Sequence, residues 1–120
     1  MRYNLYIMAS FQIISFKPTD YRVLYNSTDT IEFTSIACES KNLCLRLIAS
    51  IRRNSIKNTA FEMRQLSCGS WCFYLKNPNT NTVLGRSKTY IEKSILEEKL
   101  MTIKSSMAKA EFVSKRHTFI

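Results

Sequence analysis

Residues 71–107, WCFYLKNPNTNTVLGRSKTYIEKSILEEKLMTIKSSM, decide the fold. Trp71, Phe73 and Leu75 alternate with Cys72 and Tyr74, the period-2 pattern of a strand with one face buried. The polar run NPNTNT then makes a turn, and Thr82–Ser87 reads as the next strand. Beyond it Leu96, Leu100, Ile103 and Met107 recur at helical spacing, one face of a helix over roughly Glu92–Ser106. Glu97 and Glu98 stand on its outer side with Lys93 and Lys104, at spacings that allow weak i,i+4 pairs. Working outward, Phe61–Leu66 reads as a strand, and Ser67–Ser70 places Gly69 at the turn before Trp71.

The same pattern stands earlier in the chain. Phe11 precedes Phe61 by 50 positions, and Ile13/Met63, Tyr21/Trp71, Val23/Phe73 and Tyr25/Leu75 keep that offset. A loop two residues longer in the second half shifts the offset to 52, which then relates Thr30 to Thr82, Ile31 to Val83, Ser35 to Ser87 and Lys41 to Lys93. Cys44/Leu96, Ile48/Leu100, Ile51/Ile103 and Arg52/Lys104 continue it. Few residues are identical, but apolar positions coincide through a whole unit, which reads as an internal duplication.

The first unit therefore has strands at Phe11–Ser15, Tyr21–Tyr25 and Ile31–Ile36, with Pro18 and Asp20 marking the first turn. Ser40 is placed to cap a helix whose inward stripe is Leu43, Cys44, Leu47, Ile48 and Ile51, with Arg46, Arg52 and Arg53 pointing to water. Glu111–Ser114 closes the chain as a last strand, with Phe112 echoing Phe11 and Phe61. The expected fold class is α+β: two tandem β-β-β-α units plus a closing C-terminal strand, sharing one antiparallel sheet with helices packed on it. The expected organisation is one domain over 1–120, with tails at 1–9 and 116–120, repeat 1 at 10–59 and repeat 2 at 60–115.

At these residues the chain resembles the YegP-like family of small bacterial tandem-repeat proteins. That family's repeat has a phenylalanine-alternating strand followed by L-K, an N-G-type turn, I-I-G-x-S-x-x-Y, and a helix ending I-x-x-V-K. The second unit matches through Trp71, Phe73, Leu75, Lys76, Val83, Leu84, Gly85, Ser87, Tyr90, Leu100, Ile103 and Lys104. The first matches through Tyr21, Val23, Ser35, Ser40, Lys41, Ile48, Ile51, Arg52 and Asn54. The turn glycine is absent from both hairpins, Cys38 replaces the usual Tyr, and Phe33 stands where the other unit has Gly85. The resemblance implies two units with exchanged terminal strands in one sheet, and a monomer, because the tandem chain completes its own partner. The family's function is uncharacterised, so the resemblance carries no active-site residue.

Composition narrows the class. The chain has 120 residues, 45% of them hydrophobic, with two Gly and two Pro, an ordinary make-up for a folded domain. No stretch approaches the roughly 18 apolar residues of a membrane span. The N-terminal MRYNLYIMASFQIISF is interrupted by Asn4, Ser10 and Gln12 and is a poor signal peptide, and Met8 is an alternative start. The expected compartment is the cytoplasm, with reduced thiols.

Candidate chemistry is sparse. Cys38/Cys44 and Cys68/Cys72 are spaced C-x5-C and C-x3-C, which is no zinc-knuckle pairing, and Cys44 falls on the helix stripe where a small apolar residue belongs. His117, the one histidine, stands in the tail with no orienting partner, and Glu97 and Glu98 point in different directions from their helix. No catalytic residue, metal or cofactor is expected. Eighteen Lys and Arg against nine acids leave +9, which attracts polyanions in a salt-dependent way. The residues singled out as polyanion contacts are Arg46, Arg52, Arg53, Arg86, Lys88 and Lys104, with Arg22, Arg64, Lys76 and Lys109 as further contributors. The function expected is a non-enzymatic interaction or structural module with an acidic protein partner; the alternative is weak, sequence-nonspecific binding of nucleic acid. Charges gathered on the sheet beside aromatics favour the alternative; charges ringing the helices favour the protein partner.

Overall fold

The computed structural model describes residues 9–27 and 30–114. Its strands are β1 (Ala9–Lys17), β2 (Asp20–Ser27), β3 (Thr30–Ser35), β4 (Phe61–Gln65), β5 (Trp71–Asn77), β6 (Thr82–Ser87) and β7 (Glu111–Phe112). Helix α1 (Lys41–Ser55) follows β3, a single 3-10 turn (Asn58–Ala60) leads into β4, and α2 (Lys93–Met107) separates β6 from β7. The strands form one sheet in the order β4-β5-β6-β3-β2-β1-β7.

The architecture is α+β, but the sheet is mixed. β7 lies parallel to β1, with Ser10 beside Glu111 and Phe11 beside Phe112, whereas every other pairing is antiparallel. The antiparallel expectation fails here because β7 arrives from a helix rather than a hairpin, and a helical crossover permits parallel entry. The last strand is also shorter than expected: it ends at Phe112, which is 39% exposed. Ala9 belongs to β1, not to an N-terminal tail. The expected tail over 116–120, the end of repeat 2 at 115 and His117 lie outside the described residues, as do 1–8 and the turn residues 28–29.

Alternation builds the core. Phe11, Tyr25 and Phe33 stand opposite one another across β1, β2 and β3, while Phe61, Leu75, Gly85 and Ser35 make a second row from β4 to β3. The helices close this face with Cys44, Ile48, Ile51, Leu96, Leu100, Ile103 and Met107, all buried. Leu43, expected on the inward stripe, is 41% exposed, so the buried arc of α1 is narrower than the periodicity suggested. Ser40 does cap α1, its hydroxyl accepting from the Leu43 amide at 3.2 Å.

Two departures from strict alternation matter for the surface. Register shifts between Tyr25 and Asn26 and between Leu75 and Lys76 leave Glu32 and Leu84 as bulged residues, both buried. The serines that end β3 and β6 explain how these strands leave the sheet. Ser35 Oγ accepts from the Val23 amide at 2.8 Å and donates to the Ile36 carbonyl at 2.8 Å. Ser87 Oγ accepts from the Phe73 amide at 2.9 Å and donates to the Lys88 carbonyl at 2.7 Å. Each hydroxyl replaces a missing ladder carbonyl, so a buried amide keeps its partner. Beyond each serine the backbone rejoins the sheet for one residue pair, Cys38 with Tyr21 and Tyr90 with Trp71.

Gly85 and Phe33 explain each other. A Cβ on Gly85 would stand 2.3 Å from Phe33 Cζ and 2.6 Å from the Thr34 carbonyl oxygen. The ring of Phe33 fills the space that the glycine leaves, against Phe73 with centroids 6.1 Å apart. At the second hairpin Asn81, with φ of 63°, takes the left-handed position where a glycine would be expected.

Candidate binding surface

Among the described residues, the helices cover one face of the sheet and leave the other without a helix. Register places Glu62, Tyr74, Arg86, Thr34, Leu24 and Gln12 in one line across that face, from β4 to β1, with Leu24 buried among its neighbours. At the centre β3 and β6 pair through Phe33–Ser87, Thr34–Arg86 and Ser35–Gly85, and backbone hydrogen bonds continue the pairing at either end. Ile36 donates to the Leu84 carbonyl on one side and Lys88 donates to the Glu32 carbonyl on the other. The seam holds an open groove of about 460 Å3 whose walls include Arg22, Ile31, Ile36, Val83, Arg86 and Lys88.

Charge on this face is unevenly satisfied. Arg22 meets Asp20 at 3.2 Å and lies over the Phe16 ring at 5.5 Å. Arg64 and Lys76 share the single carboxylate of Glu62, and the Arg64 guanidinium covers the Tyr74 ring at 4.8 Å. Lys76, and after it Arg64, hold the Glu62 carboxyl down at about 2. This folded value lies below the ordinary one, so the pair's contribution is present at neutral pH and is lost as pH falls from about 4.5 toward 2. An NMR titration of the Glu62 side chain is expected to show its midpoint near 2, and Lys76→Met is expected to raise it. Arg86 is exposed and has no acidic partner among the described residues.

A buried carboxylate lies behind the groove. Glu32 is 3% exposed, accepts from the Tyr90 hydroxyl at 3.1 Å, and has Lys88 at 3.7 Å and Lys99 at 4.0 Å. Burial, reinforced by this carboxylate, raises the Tyr90 phenol well above its ordinary value, so it remains a proton donor to Glu32. The cluster holds a bulge in place and anchors Lys88; nothing in the spacing of the sequence singles Glu32 out.

The six expected polyanion contacts therefore divide three ways. Arg86 and Lys88 share the groove. Arg46 and Arg53 are exposed on the outer side of α1, across the molecule from it. Arg52 and Lys104 are tied into the fold, contrary to expectation. Arg52 donates from Nε and Nη2 to the Ala110 carbonyl at 3.2 and 2.6 Å and stacks on Phe11 at 5.4 Å, fastening the approach to β7. Lys104 donates to Asn58 Oδ1 at 3.3 Å and lies 5.3 Å from the Phe61 ring centroid. Helical periodicity points both outward, but their long stems reach back over the helix ends to orphan acceptors and rings.

All four thiols are free, and among the described residues no group of three or more His, Cys, Asp or Glu could hold a metal ion. Cys44 and Cys72 are buried, and burial, with Cys38 nearby, pushes the Cys44 thiol up to about 12. Cys68 is exposed, and hydrogen bonds from Ser70 lower its pKa. Cys68 is expected to react first with a disulfide reagent in the native protein, while Cys44 and Cys72 react only on unfolding; mass mapping after a timed quench reads the order.

Among the described residues, a mixed sheet of seven strands with two helices packed on one face defines the class of this α+β protein. No family model matches the sequence, and no curated protein matches it. Among solved structures, the solution NMR structure of YegP from E. coli, a protein of unknown function, superposes with a TM-score of 0.80. Its identity is 21% over 93% of this chain and 97% of that one. A UPF0339 protein from Shewanella oneidensis gives a TM-score of 0.79 at 13% identity, over 92% of this chain and 96% of that one. The fold is thus the YegP-like fold that Trp71, Phe73, Gly85, Ser87 and their counterparts led the sequence to expect.

Proposed function

We propose that this chain is a non-enzymatic interaction module of the YegP-like family, built by tandem duplication of a β-β-β-α unit, whose open sheet face binds an acidic protein partner. The observation that carries this reading is Arg86, exposed beside a groove and without an acidic partner among the described residues. The hydrogen bonds made by Ser35 and Ser87, repeated at equivalent places, support the duplication. Two such units in one chain fill the sheet from edge to edge, and the module works as a cytoplasmic monomer with reduced thiols. No helix among the described residues is long and apolar enough to cross a membrane.

A second reading, weak binding of single-stranded nucleic acid, is favoured by the line that sets Tyr74 beside Arg86 with Arg64 over its ring. The protein reading stands ahead of it because Arg64 occupies the ring face on which a base would stack.

The test is fluorescence anisotropy of labelled polyglutamate and of single- and double-stranded DNA and RNA at roughly 50 and 200 mM salt. Polyglutamate is expected to bind at the lower salt and weaken at the higher. Arg86→Glu removes binding, while the paired change Arg46→Glu with Arg53→Glu leaves it. No binding by any polyanion at 50 mM overturns the reading.

A further inference from the structure

The groove at the β3–β6 seam has a free charge at its centre and aliphatic side chains at its ends. Arg86 pairs with Thr34 in the middle of the seam. Ile31 and Lys88 stand at one end, and Ile36, Val83 and Arg22 at the other. Ile31 and Ile36 are 47% and 41% exposed. The cations at the ends are engaged. Lys88 has Glu32 at 3.7 Å and the Tyr90 ring at 5.5 Å; Arg22 has Asp20 at 3.2 Å and the Phe16 ring at 5.5 Å. Of the three bases only Arg86 has no acidic partner among the described residues. Spacing along the seam is regular. Leu24 pairs with Thr34 and Asn26 with Ile31, so the bulge at Glu32 makes Ile31 and Thr34 successive positions on one face, and Ile36 is the next. From end to end this is four strand steps, roughly 13 Å.

We infer that the groove receives an extended peptide of a partner protein in the pattern apolar-x-acid-x-apolar, a proposal that rests on the sheet face opposite the helices being the binding surface. An extended chain rises by the same step as the strands beneath it, so its residues i, i+2 and i+4 reach one end, the centre and the other end together. The central carboxylate pairs with Arg86, whose planar guanidinium binds carboxylate in two-point fashion. One apolar side chain covers Ile31 and the other covers Ile36 and Val83. The intervening side chains point to water and carry no requirement. Charge complementarity at Arg86 fixes the sign of the central residue. A run of acids alone would leave both aliphatic ends wet, and a nucleic-acid strand brings no aliphatic side chain to cover them.

The probes are end-capped, unlabelled peptides titrated at low salt into the 15N-labelled protein, with polyglutamate and an oligothymidylate in parallel. GSLSESLSG carries the pattern. GSSLELSSG has the same composition, but its leucines stand next to the glutamate and so on the opposite side of an extended chain. The first is expected to bind roughly tenfold more tightly than the second, the effect of burying about one large apolar side chain. The amides of Ile31, Ile36 and Arg86 are expected to shift with it. Ile31→Thr with Ile36→Thr abolishes the difference between the two peptides; both positions are exposed, and a cooperative thermal transition checks that the fold is kept. Arg86→Gln abolishes the preference for GSLSESLSG over GSLSQSLSG. Equal binding of the two leucine arrangements, or of the Glu and Gln peptides, overturns the proposal, while binding of polyglutamate then keeps the reading beneath it. Binding of the oligothymidylate alone overturns both in favour of nucleic acid. Binding of none of the probes overturns both.

Discussion

Gly85→Ala is expected to destabilise the protein by about 3 kcal/mol, the upper end of what forced overpacking costs. The added methyl would meet the Phe33 ring at 2.3 Å and the Thr34 carbonyl oxygen at 2.6 Å. The ring cannot swing away freely, because Phe33 is 1% exposed and packed against Phe73. The backbone oxygen belongs to a strand fixed on both sides by β2 and β6. Phe33→Leu removes the ring atoms that clash, so Gly85→Ala in that background is expected to cost at least 1 kcal/mol less than alone, as coupled neighbours do. The rescue is incomplete, since the contact with the Thr34 oxygen remains. Urea denaturation of the two single variants and the double variant measures the coupling. Additive losses would show that the ring and the glycine are not matched.

The second large effect concerns the strand-ending serines. Ser35→Ala and Ser87→Ala are each expected to cost about 2 kcal/mol, because each leaves a buried amide, of Val23 or Phe73, without its acceptor. The tandem reading adds that the two losses are alike, since each hydroxyl both accepts from a neighbouring strand and donates to the next carbonyl. Ser→Thr at either site keeps the hydroxyl and is expected to recover part of the loss. A large effect at one serine and none at the other would contradict the equivalence of the two units.

Much of this architecture is legible in the residues. The stripe from Leu96 to Met107 depends only on local period and holds; Phe73 and Leu75 are buried as their alternation predicts, but Trp71 is only partly buried and Cys72, on the other side of the strand, is buried too. Ser40 caps α1 because capping is local too. The bulges are not legible. Glu32 and Leu84 break the alternation only because β2 and β5 slip register beside them, a property of the partner strand. The parallel entry of β7 likewise depends on which edge α2 delivers it to. Arg52 and Lys104 carry no local sign that they are occupied; their acceptors, Ala110 and Asn58, come from distant parts of the chain. The groove escapes for the same reason. Arg86 and Lys88 could be picked out by charge, but Ile31, Ile36 and Val83 read as ordinary strand residues until the seam sets them beside those bases.

Placing the binding surface on the sheet face opposite the helices, and not on the helices, is most directly tested by a 15N–1H correlation spectrum recorded while polyglutamate is added at low salt. The amides of Arg22, Thr34, Ile36, Tyr74, Arg86 and Lys88 are expected to shift together and saturate, while those of Arg46 and Arg53 stay still. Saturating shifts confined to the outer side of α1 would contradict it.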